Sequence, residues 1–237
     1  NTFSQLQNRY LVKGMSWLDY AALNLGYREW GNPVAVLQAL DKEFNLPFLC
    51  ANVLYKDSAT TPFKPYAIRE LEATPGRSKM PFKKLTIAMV GLTDGLLAQL
   101  FVNRPGEPEL LYRDPVEAAG ELMPELRGKA DLVILLYYGK YQKLTALLEA
   151  VPGFDVAVFG GEHYLVASQK SPNNPVRIVS TPSMGKYAGV LTLQLDKKRK
   201  IVSSSDRQVP LKEDMNEVAR FNELAAEYEK EASLTKP

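Results

Sequence analysis

The side chains best suited to chemistry fall in three short runs. They are Tyr27-Arg28-Glu29 after Gly26, Tyr137-Tyr138 before Gly139, and Glu162-His163-Tyr164 after Gly160-Gly161. Glu162 beside His163 can act as an acid–base pair or hold one weakly bound metal ion. A polar loop after two glycines accounts for the same letters, and that is the expectation adopted. Arg28 can receive a phosphate through its planar fork, but a nearby acid, Glu29 or Glu162, is its expected partner. Tyr27, Tyr137, Tyr138, Tyr141 and Tyr164 would line an aromatic cleft or fill space at strand ends; filling is expected. Gly160-Gly161 has neither the spacing nor the following lysine of a P-loop. His163 is the only histidine and Cys50 the only cysteine. One histidine cannot build a centre that needs several neutral imidazoles.

These runs sit where strands should end. Asp19 to Leu25 reads as a strand stopped by Gly26, and Gly31-Asn32-Pro33 opens a helix, Val34 to Phe44. A second strand follows, Phe48 to Val53. Turns of such βαβ units commonly host sites. The apolar runs Leu85–Leu92, Asp131–Tyr138 and Phe154–Gly161 read as strands covered on both faces. Between them, Asp114-Pro115-Val116-Glu117 offers an N-cap, a proline at N1 and a capping-box acid. That helix should reach about Arg127, with Pro124 disturbing its last turns. Leu144–Leu148 is a further helix. Phe63–Leu71 is a strand and Thr74–Lys79 a turn. The alternation predicts an α/β fold with a largely parallel sheet.

The two ends differ from this middle. Thr2 to Trp17 has helical spacing at Phe3, Leu6, Tyr10, Leu11 and Met15. Arg177–Ser180, Ala188–Leu195 and Ile201–Val209 read as strands joined by short turns, hence antiparallel. Lys212 to Glu231 is amphipathic, with Met215, Val218, Phe221, Leu224 and Tyr228 on one face.

Composition narrows the function. With 237 residues and 46% hydrophobic content the chain can bury a substantial core. A net charge of +2 gives no basis for nucleic-acid binding. The one basic cluster, Lys197 to Lys200, reads as a solvated hairpin tip. No apolar run approaches the ~20 residues of a membrane span. No signal peptide is visible, though a mature chain beginning at Asn1 could have lost one. Cys50 lies in an apolar strand as a buried thiol, so disulfides, zinc knuckles and c-type haem are excluded within the chain.

Several phrases of the chain are also those of a known family. Asp19-Tyr20-Ala21-Ala22, Gly26 to Trp30, Leu46-Pro47-Phe48-Leu49-Cys50-Ala51-Asn52-Val53 and Lys64-Pro65-Tyr66 follow the pattern YDA, GNHEF, FP-x-L-x-ANV, KPY. Leu85–Leu92 with Thr93-Asp94, and Ser183 to Asp196, match further scaffold phrases. The chain thus resembles the calcineurin-like metallophosphoesterases, in particular the 5′-nucleotidase and UDP-sugar hydrolase branch, over roughly residues 14 to 212.

The resemblance implies an α/β sandwich of two mixed β-sheets flanked by helices. Here it would be N-terminally truncated, lacking two strands that carry Asp-x-His and Gly-Asp phrases. It also implies a pair of metal ions about 3.5–4 Å apart, held by Asp, Asn and His. The bridging Asn falls on Tyr27 and the catalytic His on Arg28, while Glu29 is kept. The strand-end histidines fall on Tyr138, Glu162 and Tyr164, with His163 one residue out of register. A neutral phenol is a poor ligand for such metals.

The expectation is therefore a catalytically inactive relative, serving as a binding or assembly module, with no cofactor and no metal. Tyr27, Arg28, Glu29, Tyr138, Glu162, His163 and Tyr164 would be vestigial site positions. The alternative is a fragment or subunit of a metal-dependent phosphoesterase whose N-terminal metal-binding half lies outside the chain. A small-ligand receptor using the tyrosines is a third class. Residues 1–212 would form one domain and 213–237 a C-terminal helix and tail. A protein partner or upstream segment should complete the sheet edge near Asp19–Leu25. By resemblance the location is periplasmic or extracellular.

Overall fold

The longest apolar runs of the sequence become the centre of the main sheet. The structure is a computed structural model and describes residues 2–72, 82–95, 105–161, 169–170, 175–182, 185–212 and 218–235. Strand β4 (Tyr66–Glu72) pairs antiparallel with β5 (Lys84–Thr93). β5 then runs parallel to β7 (Leu132–Gly139), β7 to β8 (Val156–Gly161), and β8 to β10 (Arg177–Ser180). A short β9 (Gln169–Lys170) closes the far edge antiparallel to β10, giving the order β4-β5-β7-β8-β10-β9. The sequence had pointed to an antiparallel Arg177–Ser180. It is instead the fourth parallel strand, because Val156 to Phe159 offer it an apolar neighbour in register.

Two helices cover one face of this sheet. α3 (Pro115–Lys129) is capped by Asp114, whose carboxylate accepts the Val116 amide at 2.7 Å. α4 runs from Tyr141 to Ala150, longer than the stretch expected. Leu126, Leu144, Leu147 and Leu148 pack there on Val90, Val133, Leu135 and Phe159. Pro124 does not disturb α3, which continues to Lys129. The carbonyl it leaves without a donor belongs to Gly120, on the exposed side of the helix, where water can satisfy it.

The opposite face carries smaller pieces. β1 (Leu23–Asn24) pairs parallel with β2 (Phe48–Leu49), joined through α2 (Val34–Phe44). The expected strand from Asp19 is thus reduced to two residues, since Asp19 itself takes φ 49°, a turn conformation. The expected strand Phe48–Val53 is divided, because the Cys50 amide bonds Lys64 O and the Ala51 amide bonds Gly91 O. β3 (Val53–Tyr55) pairs antiparallel with β6 (Leu110–Tyr112). A second apolar cluster, including Leu25, Trp30, Leu37, Phe48 and Cys50, fills the space under these strands. β11 (Tyr187–Leu195) and β12 (Ile201–Pro210) form an antiparallel hairpin whose tip holds Lys197 to Lys200. Arg199 at that tip reaches back to Asp131 at 3.0 Å.

The terminal helices meet. α5 (Ala219–Thr235) lies on α1 (Thr2–Ser16), with Tyr10 against Tyr228 and Trp17 against Phe221. α5 starts later than the periodicity suggested, and Met215 lies outside the described residues, as does the turn expected at Thr74–Lys79. Among the described residues no helix is long and apolar enough to cross a membrane.

This core makes a simple demand on mutants. Leu135→Ala, at a position with 0% exposure, is expected to cost about 2–5 kcal/mol. Leu71→Ala, at 48% exposure on the edge strand β4, should stay within about 0.5 kcal/mol. Urea unfolding of both variants checks this, and equal losses would contradict the placement.

Candidate functional site

Gly26 is the point where the first strand end comes down onto the main sheet. A Cβ there would lie 2.9 Å from Tyr138 Cδ2, so no larger residue fits without movement. Tyr27 follows directly, and its ring meets that of Tyr138 at 5.4 Å between centroids and 51° between planes. The end of β7 is packed as tightly against β8. Gly161 has φ 121°, and a Cβ on it would come within 2.7 Å of the Gly139 nitrogen. Glycines therefore permit the approach, and aromatic rings occupy what it encloses.

The polar groups of the first run bond to one another and to the turn's own backbone, with the Arg28 and Glu29 residues still exposed in part. Arg28 Nε donates to the Tyr27 hydroxyl at 3.1 Å, and its guanidinium lies 5.8 Å from the same ring's centroid. Glu29, one of the two acids the sequence suggested for Arg28, instead accepts the Gly26 amide on Oε2 at 2.9 Å, and the other, Glu162, lies outside the described residues. The hydrogen bond from Arg28 holds the Tyr27 phenol below its usual range, chiefly by stabilising the phenolate. Burial raises Tyr138, and the neighbouring Tyr27 adds to the rise. Burial of the Glu29 carboxylate raises its pKa, against the Gly26 amide that lowers it. Behind them Trp30 is 2% exposed and packs edge-on to Phe63.

A residue that the site reading overlooked braces this corner. Asn52 is fully buried; its Nδ2 donates to Thr93 O at 2.7 Å and its Oδ1 accepts the Thr93 amide at 3.0 Å. One residue on, the Asp94 amide donates to Tyr138 O at 2.8 Å. The sequence carried a signal in Ala51-Asn52-Val53, a lone amide between apolar residues, which must find partners if buried.

The structure brings together Tyr27, Arg28, Glu29 and Tyr138. Glu162, His163 and Tyr164 lie outside the described residues. A pair of dications does not fit the described groups. The described cluster offers two phenols and a guanidinium, which are poor ligands for such ions, and its one carboxylate accepts a backbone amide. Among the described residues no three His, Cys, Asp or Glu side chains converge to hold a metal. The hollows lie elsewhere. One of about 880 Å³ runs past Met15, Tyr20, Phe48 and Ile68. Another of about 450 Å³ lies between Asp94, Arg113, Tyr137 and Lys143. Neither of these two is lined by Tyr27 or Tyr138, while Tyr137 lines the second.

Comparison with known proteins gives this geometry a context. No family model matches the chain. A 5′-nucleotidase of Vibrio cholerae is 34% identical over 137 residues, covering 55% of this chain and 22% of the relative. A snake venom 5′-nucleotidase of Crotalus adamanteus is 26% identical over 234 residues, covering 91% of this chain and 38% of the relative. The chain therefore spans well under half the length of these relatives. Among solved structures, a calcineurin-like phosphoesterase of Bacillus subtilis superposes with a TM-score of 0.76 at 20% identity. That match covers 94% of this chain and 73% of the other.

Two measurements test the corner. A pKa raised in the folded state means that folding favours the protonated acid. The contribution of Glu29 is thus fully present below its unfolded pKa and lost as pH rises through the folded one. Stability of the native chain is expected to fall relative to Glu29→Gln between acid and neutral pH; a parallel pair of curves would contradict the burial. Gly26→Ala should cost about 1–3 kcal/mol by overpacking. Most of that loss should return in Gly26→Ala, Tyr138→Leu, as read by a double-mutant cycle.

Proposed function

We propose that this chain, a relative of the 5′-nucleotidases with the calcineurin-like phosphoesterase fold, is a non-catalytic binding or assembly module. The supporting observation is the Tyr27–Arg28–Tyr138 cluster at the strand ends. Hydrolysis of a phosphate ester on this fold calls for a nucleophilic water held between positive charges and ready to lose a proton. A guanidinium bound to a phenol supplies charge but takes no proton. Glu29 is committed to the Gly26 amide, and no described side chain at the cluster is placed to activate water.

Residues 1–212 are taken as the phosphoesterase-like unit and residues 213–237 as its appended helix and tail. A periplasmic or extracellular location is proposed from the relatives. Fractionation of the source cells, with a cytoplasmic marker, checks it.

The competing reading makes the chain one part of a working phosphoesterase, with the missing half elsewhere. Assays separate the two. The purified chain, supplied with Mn²⁺, is expected to release no phosphate from nucleoside monophosphates or aryl phosphates above a blank. After dialysis it should hold far less than two equivalents of Zn, Mn or Fe. Turnover that vanishes in the Glu29→Gln, Glu162→Gln double variant would establish a rebuilt site and end the non-catalytic reading.

A further inference from the structure

The hollow of about 880 Å³ opens where the chain enters β1 and β2, whereas Tyr27 and Tyr138 stand where β1 and β7 finish. Its volume lies in the range of small-molecule sites. The floor is apolar, with Phe48 and Leu49 buried and Met15 and Ile68 half-buried. Five charged side chains ring it. Asp19, Asp41 and Lys42 come from the side of α1 and α2, and Lys64 and Arg69 from the side of β4. Among the described residues none of the five forms an ion pair, although the adjacent Glu43 and Glu70 do, with Arg9 and Lys84. Asp41 and Lys64 still feel each other, since burial raises the Asp41 carboxyl and Lys64 opposes the rise. Charges of both signs are thus held around one space, near enough to interact and too far apart to bond.

The backbone beside them is open as well. β4 is an edge strand of the main sheet. The Gly91 amide donates to Pro65 O at 3.4 Å, so by alternation Ala67 and Arg69 turn their backbone groups to β5. Those of Tyr66 and Ile68 lie on the outer edge, and both residues line the hollow. Just before Pro65 that edge is taken, because Lys64 O accepts the Cys50 amide at 3.0 Å. Past Pro65 the chain leaves β2 for β5, and the hollow is the space between.

An inorganic anion would leave Asp19 and Asp41 facing it, and a purely apolar molecule would bury charges without partners. We propose that the hollow binds a short peptide with free ends and apolar side chains. Its ammonium group would meet Asp19 and Asp41, and its carboxylate Lys64 and Arg69. Its backbone would bond the outer edge of β4 at Tyr66 and Ile68, with its side chains on Phe48 and Leu49. The site is separate from the strand-end cluster and stands whether or not that cluster is catalytic.

Trileucine and its capped forms test this by titration calorimetry at about 1 mM. Trileucine is expected to bind at one site per chain. N-acetyl-trileucine, without the ammonium, and trileucine amide, without the carboxylate, should each bind about two- to fivefold more weakly. The Asp19→Asn, Asp41→Asn double variant should weaken trileucine by a similar factor and leave N-acetyl-trileucine unchanged. Lys64→Gln, Arg69→Gln should weaken trileucine likewise and leave trileucine amide unchanged. Asparagine tolerates the φ of 49° at position 19, and Lys64 and Arg69 are exposed. If a double variant still fails to fold, the two caps on the native chain decide. Lys143→Gln, in the second hollow, should change nothing. A chain that ignores trileucine overturns the proposal, as does binding indifferent to both caps. Leucine bound as tightly as trileucine also overturns it, because a single amino acid needs no strand edge. Phosphate release by a chain that binds trileucine normally would instead sink only the non-catalytic reading.

Discussion

The structure turns on a side chain that behaves as a piece of strand. Asn52 offers one donor and one acceptor to the backbone of Thr93 and takes both in return, wholly out of water. Its Nδ2 also lies 3.2 Å from Arg113 O. Three segments distant in sequence are thereby held at one corner: the end of β5, the start of β3, and the turn into α3. Leaving either half of that pair unmatched inside the protein would cost on the order of 1–3 kcal/mol. The position of β1 and β2 over Gly91 depends on the same junction. So does the placement of Tyr138, whose carbonyl receives the Asp94 amide next in line.

The strand ends beside that corner have an electrostatic character of their own. The described cluster holds one guanidinium, Arg28, partnered by a phenol whose ionisation that cation favours. The neighbouring phenol is driven the other way by burial. Two rings in contact and a carboxylate that accepts the Gly26 amide then hold the turn by packing and by one backbone hydrogen bond.

The uneven cover of the main sheet follows from the same architecture. Helices bury one face thoroughly. The other face has β1 and β2 at one side and the β11–β12 hairpin at the other, with Val158 open between them. The hairpin is bonded mainly to itself, and polar links such as Arg177–Asp206 fasten it to the sheet. An Arg177 Nε and a Gln208 Oε1 remain buried without partners beside those links. A layer attached through polar contacts of this kind is the part of the fold most readily shifted.

Much of this was legible from residue order alone. The apolar runs Leu85–Leu92, Asp131–Tyr138 and Phe154–Gly161 had to be buried strands, because nothing shorter than a sheet satisfies so continuous an apolar backbone. Asp114-Pro115 had to open a helix. The letters at positions 27, 28 and 138 also set which side chains stand there, two phenols and a guanidinium. What residue order could not decide was which groups meet. Of the two acids that residue order offers Arg28, Glu29 is aimed by the turn at Gly26 toward a backbone amide, and Arg28 meets the Tyr27 hydroxyl. The strand expected from Asp19 shrank to two residues, because its ladder extends only as far as β2 offers a neighbour. Arg177–Ser180 became parallel because an open edge of β8 was available to it. Pairing, register and burial arise from neighbours far along the chain, and local propensity is too weak to override them.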